Sequence, residues 1–513
     1  MIFFKKLANI YKSSAVVSFW TLLSRILGFI RDIIFAVLLG AGPAADAFII
    51  AFRLPSLFRR FFTEGTFSAA FIPLLAEHNK SLVVEKGLIF TSKITTIILF
   101  IILPLIIIAE IFMPNVVLLI APGFADDVIR FELAVPYSRI VFPYLIFIII
   151  TSIFAAALNT NGKFWAGAAA PVILNLIMIL SMLIAFADSG DKGIYLCYGV
   201  IIAGIFQMLL LAWANYKNGL AFSISFPKVD EPVKKFLKRF FPAVLGAGAT
   251  QINLLVSSIF ASQIPGAISW LYYSDRVAQL PLGIIAVAIG TVLLPDLSKK
   301  IESGQKTDEY LTQERAILIS IFFALPASVA LIYMPNLIIK SLFGYGAFTA
   351  TDVNYTATAL RIYAIGLPAF MLIKILAPFF FARKDVRTPL IITAVTSILN
   401  VFLTWYLIQS MGFIGIAYSL VITGWISAIL LFVMVLLNNF YVPKIIFFHK
   451  VFLIIVASLF MLVSLIIFEI FYSNFSEVLF LNGNIIKLIS MIIIGLISYL
   501  FSSYFLKLFK SLK

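Results

Sequence analysis

The sequence predicts an all-α polytopic membrane protein of about 14 transmembrane helices, with two pseudo-symmetric six-helix lobes and two C-terminal helices. Three observations predict it. Of 513 residues, 62% are hydrophobic and only 12% charged, more apolar surface than a soluble core can bury. Apolar stretches of about 20 residues, each enough to cross roughly 30 Å of hydrocarbon, recur along the whole chain. Several short motifs return at a nearly constant offset, as they would in a duplicated bundle.

The spans centre near residues 28, 54, 100, 146, 176, 204, 251, 284, 326, 366, 398, 425, 461 and 495. The first apolar run continues from Lys12 through Arg25 into a full span with no small-residue cleavage site, so it reads as a transmembrane helix rather than a signal peptide. "LGAGPAAD" from Leu39 links spans 1 and 2 tightly, and "FRLP" breaks span 2 around Pro55. The positive-inside rule orients the whole. Alternate loops and both ends are rich in lysine and arginine, including Lys5, Lys6, Lys12, the cluster Lys217 to Arg239, Lys299 to Arg315, Arg383 to Arg387 and Lys507 to Lys513. The opposite loops hold only Arg130, Lys192 and Lys340, and carry Asp126, Asp127, Glu132, Asp188, Asp191 and Asp352. Both termini are therefore expected in the cytoplasm, and the net charge of +15 reads as topology rather than nucleic-acid binding.

"FIPLLAE" at Phe71 matches "LLPDLSK" at Leu293, and "FMPNVVL" at Phe112 matches "YMPNLII" at Tyr333. Pro143 and Asn175 have the same spacing as Pro368 and Asn400. An intervening six spans makes these parallel repeats. The expected domains are an N-terminal lobe over 1–220, a C-terminal lobe over 221–440, and spans 13 and 14 over 441–513.

The function-bearing residues are arginines. Eight of 13 lie inside spans, namely Arg25, Arg31, Arg53, Arg59, Arg60, Arg139, Arg276 and Arg361, whereas lysines stay almost entirely outside. Arginine alone offers a permanently charged planar fork that grips phosphate or carboxylate through two hydrogen bonds, so the bias points to a polyanionic ligand. Each mid-membrane arginine costs about 2.5–3.5 kcal/mol on insertion scales, which rules out an oil-facing position. Seven-residue spacing puts Arg25 with Asp32 on one face of span 1 and Ser24 with Arg31 on the adjacent face. On span 2, Asp46, Arg53, Arg60 and Glu64 follow one stripe, with Arg59 about 100° away. The three carboxylates leave the five arginines of these spans with an excess of two positive charges. Arg25, Arg53 and Arg60 suit ion pairs or helix-end anchoring; Arg31 and Arg59, deep and without an obvious same-helix partner, suit ligand contact. In "YYSDRVAQLPLGI", Arg276 is a third candidate, and a contact with Asp275 is its structural alternative. With Cys197 alone, His78 and His449 apart, and no phosphate loop or nucleophile–histidine motif, no catalytic residue, cofactor or metal site is expected. A transporter is expected, not an enzyme.

"SRILGFIRD", "ADAFIIAFRLPSLFRRFFTEGTFSAAFIPLLAE", "APGF", "WLYYSDRVAQLPLGI" and "GTVLLPDLS" resemble the MurJ (MviN) lipid II flippases of bacterial peptidoglycan synthesis, over about residues 5 to 440 and weakly beyond. The resemblance implies the two six-helix lobes of the multidrug/oligosaccharidyl-lipid/polysaccharide exporter superfamily, a central cationic cavity, and a groove formed with spans 13 and 14 for the undecaprenyl tail. It implies that Arg25, Arg31, Arg59 and Arg276 hold the diphosphate and sugar head group, with Asp32, Asp46 and Glu64 at acidic positions of the motifs. Lipid II would then pass from the cytoplasmic to the periplasmic leaflet of the inner membrane by alternating access, in support of cell-wall biogenesis and cell shape. The expected partners are lipid II and membrane lipids, with no nucleic acid and a monomeric protein. One departure concerns energy coupling: span 7 has Gln251 and Asn253 but lacks the carboxylate that holds sodium in some members, and span 11 offers Thr393, Thr396 and Asn400. The coupling ion or membrane potential stays open. The rivals are a cation-coupled drug exporter or another polyprenyl-linked oligosaccharide exporter of the same superfamily, and a membrane glycosyltransferase, whose large extramembrane loop is missing here.

Overall fold

The computed structural model describes residues 2–63, 66–79, 84–220, 229–475 and 483–509, which form helices and no strand. They fall into two compact units, Met1–Ser269 and Trp270–Lys513. The first contains α1 (Ile2–Leu39), α2 (Pro43–Thr63), α3 (Thr66–Asn79), α4 (Val84–Ile111), α5 (Met113–Ile120), a 3₁₀ turn (Pro122–Phe124), α6 (Val128–Val141), α7 (Tyr144–Thr160), α8 (Trp165–Ala185), α9 (Lys192–Lys217), α10 (Glu231–Ala261) and the start of α11 (Ala267–Glu302). The second contains the rest of α11, then α12 (Lys306–Tyr333), α13 (Pro335–Phe343), α14 (Ala350–Phe381), α15 (Arg387–Met411), α16 (Phe413–Leu437), α17 (Ile445–Phe475) and α18 (Asn484–Phe505). Ten helical segments among the described residues are long and apolar enough to cross a membrane. The more polar α1, α2, α10 and α11 are also of spanning length, at 38, 21, 31 and 36 residues.

The repeated MPN motifs become the same local structure twice. A 28-residue helix (α4 or α12) stops at Phe112 or Met334, and a short helix of 8 or 9 residues starts with proline in its first turn. Proline lacks the N–H that the preceding helix needs and clashes with the carbonyl four residues back, so one helix ends and another begins. The other proline pair behaves differently. Pro143 marks the break between α6 and α7, but α14 runs straight through Pro368. There the orphaned carbonyl is that of Ala364, and Ser328 on α12 donates to it at 2.6 Å. A neighbouring helix thus supplies the missing hydrogen bond and the helix stays whole.

In the first unit α8 packs on α1 and α9, α2 on α6, α7 on α9, and α3 on α4 and α10. Close approach of α7 and α9 depends on Gly204, where a Cβ would lie 2.6 Å from the Tyr144 ring. A phenylalanine cluster of Phe67, Phe71, Phe90, Phe236 and Phe240 joins α3, α4 and α10, with Lys93 of α4 bound to Asp230, the N-cap of α10, at 2.5 Å. In the second unit α14 packs on α12 and α16, α15 on α16, and α17 on α12 and α18. Glu469 of α17 takes a hydrogen bond from Tyr333 of α12 at 2.6 Å and pairs with Lys487 of α18 at 2.6 Å, so the last two helices are fastened to the unit by a shared carboxylate.

A seam at the end of the first unit joins two loops backbone to backbone. Gly123 lies against residues 262–263; a Cβ there would stand 2.4 Å from the Ser262 carbonyl, while its N–H donates to Ser262 Oγ at 3.0 Å. Arg130, almost wholly buried, donates to the Ser262 carbonyl at 2.9 Å and to Asp127 at 2.6 Å. Burial works against the charge of Asp127, but hydrogen bonds from the Arg130 backbone and guanidinium outweigh it and hold the carboxyl below its usual range.

Gly123→Ala is expected to lower stability by about 1–3 kcal/mol, because backbone on both sides must give way, as read from thermal unfolding of the purified full-length protein in detergent. A lowered carboxylate pKa stabilises the fold at pH above the unfolded value and ceases to as pH falls through the folded one. Asp127→Asn keeps a capping side chain but loses the charge, so its deficit against the wild type, on the order of 1 kcal/mol near neutrality, should shrink as the solution is acidified below the normal carboxylate range.

Candidate functional site

On α1, Ser24, Gly28 and Arg31 follow i, i+4, i+7 spacing and form the stripe that meets α8. The residue they meet is Asn175. Its Nδ2 donates to the Ser24 carbonyl at 2.9 Å and its Oδ1 accepts from Arg31 Nη1 at 3.0 Å. Arg31 also turns to the next residue in the chain, with Nε and Nη2 on Asp32 Oδ1 at 3.1 and 2.7 Å. This corrects the expectation that Arg31 lacks a same-helix partner. Asp32 is 3% exposed, and a carboxylate so deeply placed needs a counter-charge near at hand. A guanidinium on the adjacent residue reaches it without any helical periodicity. Arg25 is exposed on the same helix.

Asp46 does not serve the arginine stripe of α2, as spacing suggests. It is completely buried, and its oxygens accept from the Gly266 N–H at 2.9 Å, the Ser269 N–H at 3.0 Å and Ser269 Oγ at 2.6 Å, with Arg130 Nη1 3.7 Å away. These are the first donors of α11, so a side chain from α2 caps another helix and sits at the positive end of its dipole. Arg130, expected in an outer loop, is thus the charge partner of Asp46. The sequence signal for it was an arginine in a loop set otherwise rich in acid. Arg53 instead donates to Ser258 of α10. Glu64 lies outside the described residues, as do the side chains of Arg60, Gln251 and Asn253.

Arg59 is half-buried on α2 and lines a cavity of about 330 Å³ together with Tyr144 and Thr151 of α7, Gly167 and Pro171 of α8, and Gln207 of α9. Tyr144 donates to Gln207 Oε1 at 3.0 Å, and Gln207 Nε2 donates to the Ala170 carbonyl at 2.7 Å. In the second unit, on α11, the Arg276 guanidinium lies over the Tyr272 ring, 4.7 Å from its centre, a cation–π contact. Asp275 accepts from Gln279, one turn on. The structure therefore brings Arg31, Asp32 and Asn175 together, sets Arg59 in a cavity wall with Tyr144 and Gln207, and sends Asp46 and Arg53 to helix–helix contacts. Periodicity alone did not reveal Asn175, Tyr144, Thr151 and Gln207, because uncharged polar residues are common inside bundles.

Among the described residues no group of three or more His, Cys, Asp or Glu side chains could hold a metal ion. On α15, Asn400 Nδ2 faces Ser419 and Thr423 of α16 at 3.4 and 3.3 Å. Thr396 and Thr393 return their hydroxyls to carbonyls of their own helix. This is a neutral oxygen set.

A family model described as lipid II flippase MurJ matches residues 35–509. The chain belongs to the MurJ family. A protein of Rhizobium meliloti (strain 1021) described as "Probable lipid II flippase MurJ" is 40% identical over 429 residues, 83% of this chain and 80% of that one. A protein of Rickettsia prowazekii (strain Madrid E) with the same description is 38% identical over 426 residues, 83% of each. A solved structure of "Lipid II flippase MurJ, inward closed conformation" matches with a TM-score of 0.80 and 29% identity, over 96% of this chain and 99% of that one. An inward-facing multidrug resistance MATE family transporter of the MOP superfamily matches at TM-score 0.65 and 18% identity, over 81% and 94%; it shares the fold. The chain is a multi-pass membrane protein with the MurJ architecture.

Asp46→Ala removes the partner of a buried guanidinium and the cap of α11, and should destabilise by about 3–5 kcal/mol. Its activity loss should therefore be accompanied by loss of folded protein, measured as the monodisperse fraction after extraction from the membrane.

Proposed function

We infer that this chain is a flippase that moves lipid II from the cytoplasmic to the periplasmic leaflet of the bacterial inner membrane. The observation that carries the reading is the match to the MurJ family over residues 35–509, with relatives named as lipid II flippases at 40% and 38% identity across most of their length. The geometry supports it in kind: Arg59 borders a cavity and Arg276 lies over an aromatic ring, and a guanidinium is suited to the bidentate grip of a diphosphate. We assign these two, with Arg25 and Arg31, to the head group, and Asp32 to the positioning of Arg31.

In this reading the head group is captured from the cytoplasmic side, the polyprenyl chain stays in lipid, and alternating access exposes the bound diphosphate to the other side without covalent chemistry. Neutralising the arginines with the diphosphate relieves their mutual repulsion, which favours closure around the ligand. An interior-negative potential favours outward movement of an anion by about 2.3 kcal/mol per charge per 100 mV. The lysine and arginine distribution supports a reading with both termini in the cytoplasm, and the protein is taken to act as a monomer. A drug exporter for cations would need carboxylates where Arg59 and Arg276 stand.

The test is depletion of the protein in cells, followed by measuring whether lipid II accumulates on the cytoplasmic leaflet. Accumulation supports the function; unchanged leaflet distribution overturns it. In rescue, Arg59→Ala and Arg276→Ala should reach normal membrane levels yet lose transport by more than tenfold, whereas variants that disappear from the membrane would mark those arginines as structural.

A further inference from the structure

α10 starts as a two-sided helix. Val233, Phe236 and Phe240, at i, i+3 and i+7, are buried, and Phe236 meets the rings of Phe67 and Phe71 of α3 edge to face. The opposite side carries Lys234, Lys235, Lys238 and Arg239, all exposed. The protein itself already covers the apolar side, and the cations form the face left outside. Asp230, the N-cap of this helix, is tied to Lys93 of α4, so that face is held in a fixed orientation against α3 and α4. Acid does little to neutralise it. Glu231 stands 3.4 Å from Lys234 in a pair open to water, which is worth little, and among the described residues Lys235, Lys238 and Arg239 enter no ion pair.

Helix length gives the depth of this face. α10 has 31 residues and measures about 46 Å, whereas roughly 30 Å of hydrocarbon takes up about 20 residues. Counted back from Ala261, the hydrocarbon ends near Pro242, beside the exposed ring of Phe241. Lys238 and Arg239 then fall about 5 Å beyond that edge, in the head-group layer, and Lys234 and Lys235 about 10–12 Å beyond it, at the outer rim of the layer. Setting topology requires only that basic residues be present on one side of the membrane. A packed helix that displays four of them on one face, at the depth of the lipid phosphates, builds a surface complementary to those phosphates.

We propose that the basic face of α10, Lys234, Lys235, Lys238 and Arg239, is a docking surface for the head groups of anionic phospholipids, and that it holds a patch of them against the first unit. That these belong to the cytoplasmic leaflet rests on the orientation inferred above.

The experiment measures, by native mass spectrometry of the purified full-length protein in detergent, the binding of phosphatidylglycerol and of phosphatidylcholine with the same acyl chains. The wild type should prefer phosphatidylglycerol by about tenfold or more, since each basic residue at an anionic surface contributes about fivefold. The quadruple variant Lys234→Gln, Lys235→Gln, Lys238→Gln and Arg239→Gln should bring the two lipids within about twofold. A control with the same change in net charge, Lys306→Gln, Lys384→Gln, Arg387→Gln and Lys444→Gln, removes exposed cations elsewhere and should keep the preference. Equal binding of the two lipids by the wild type overturns the proposal, and is the result expected if this face instead serves an acidic protein. Equal loss of preference in both quadruple variants also overturns it, because net charge alone would then be responsible. Binding in detergent depends neither on orientation nor on transport, so either result leaves the flippase reading intact.

Discussion

A charge inside a membrane protein must be answered by another group, and the structure is organised by how each one is answered. Asp46 is the clearest case. Its two oxygens receive three hydrogen bonds from residues 266 and 269 and the field of Arg130, so a carboxylate with no access to water is fully engaged. From this follow the packing of α2 against α6, the capping of α11 and the position of the seam at Gly123. Breaking one member would strand a buried ion, so these elements stand or fall together.

The arginines assigned to the ligand are answered differently. Arg31 already shares Asp32 and Asn175, which makes that pair nearly neutral and rigid. Arg59 stands beside Tyr144 and Gln207 in a cavity wall, and Arg276 lies over the Tyr272 ring.

Much of the fold was legible because it depends on local rules. Apolar runs became helices, the MPN motifs became paired helix breaks, and Ser24 with Arg31 lay on one face as their spacing required. What was not legible depended on partners far along the chain. Asp46 pairs with residues 220 and 223 positions away, and no helical period carries that information. Arg31 escaped for the opposite reason: its carboxylate is the adjacent residue, a distance that face-by-face reasoning treats as a mismatch although a long flexible side chain easily covers it. Asn175 and Asn400 were visible as repeat markers, yet one binds an arginine and the other faces a pair of hydroxyls.

The borrowed cap on α11 has a mechanical meaning. A helix that begins in a slack linker can swivel at its root and lose whatever force reaches it. This one starts from donors clamped by a side chain of α2, so its first turn acts as a fixed bearing, and any twist applied further along must travel through the shaft itself.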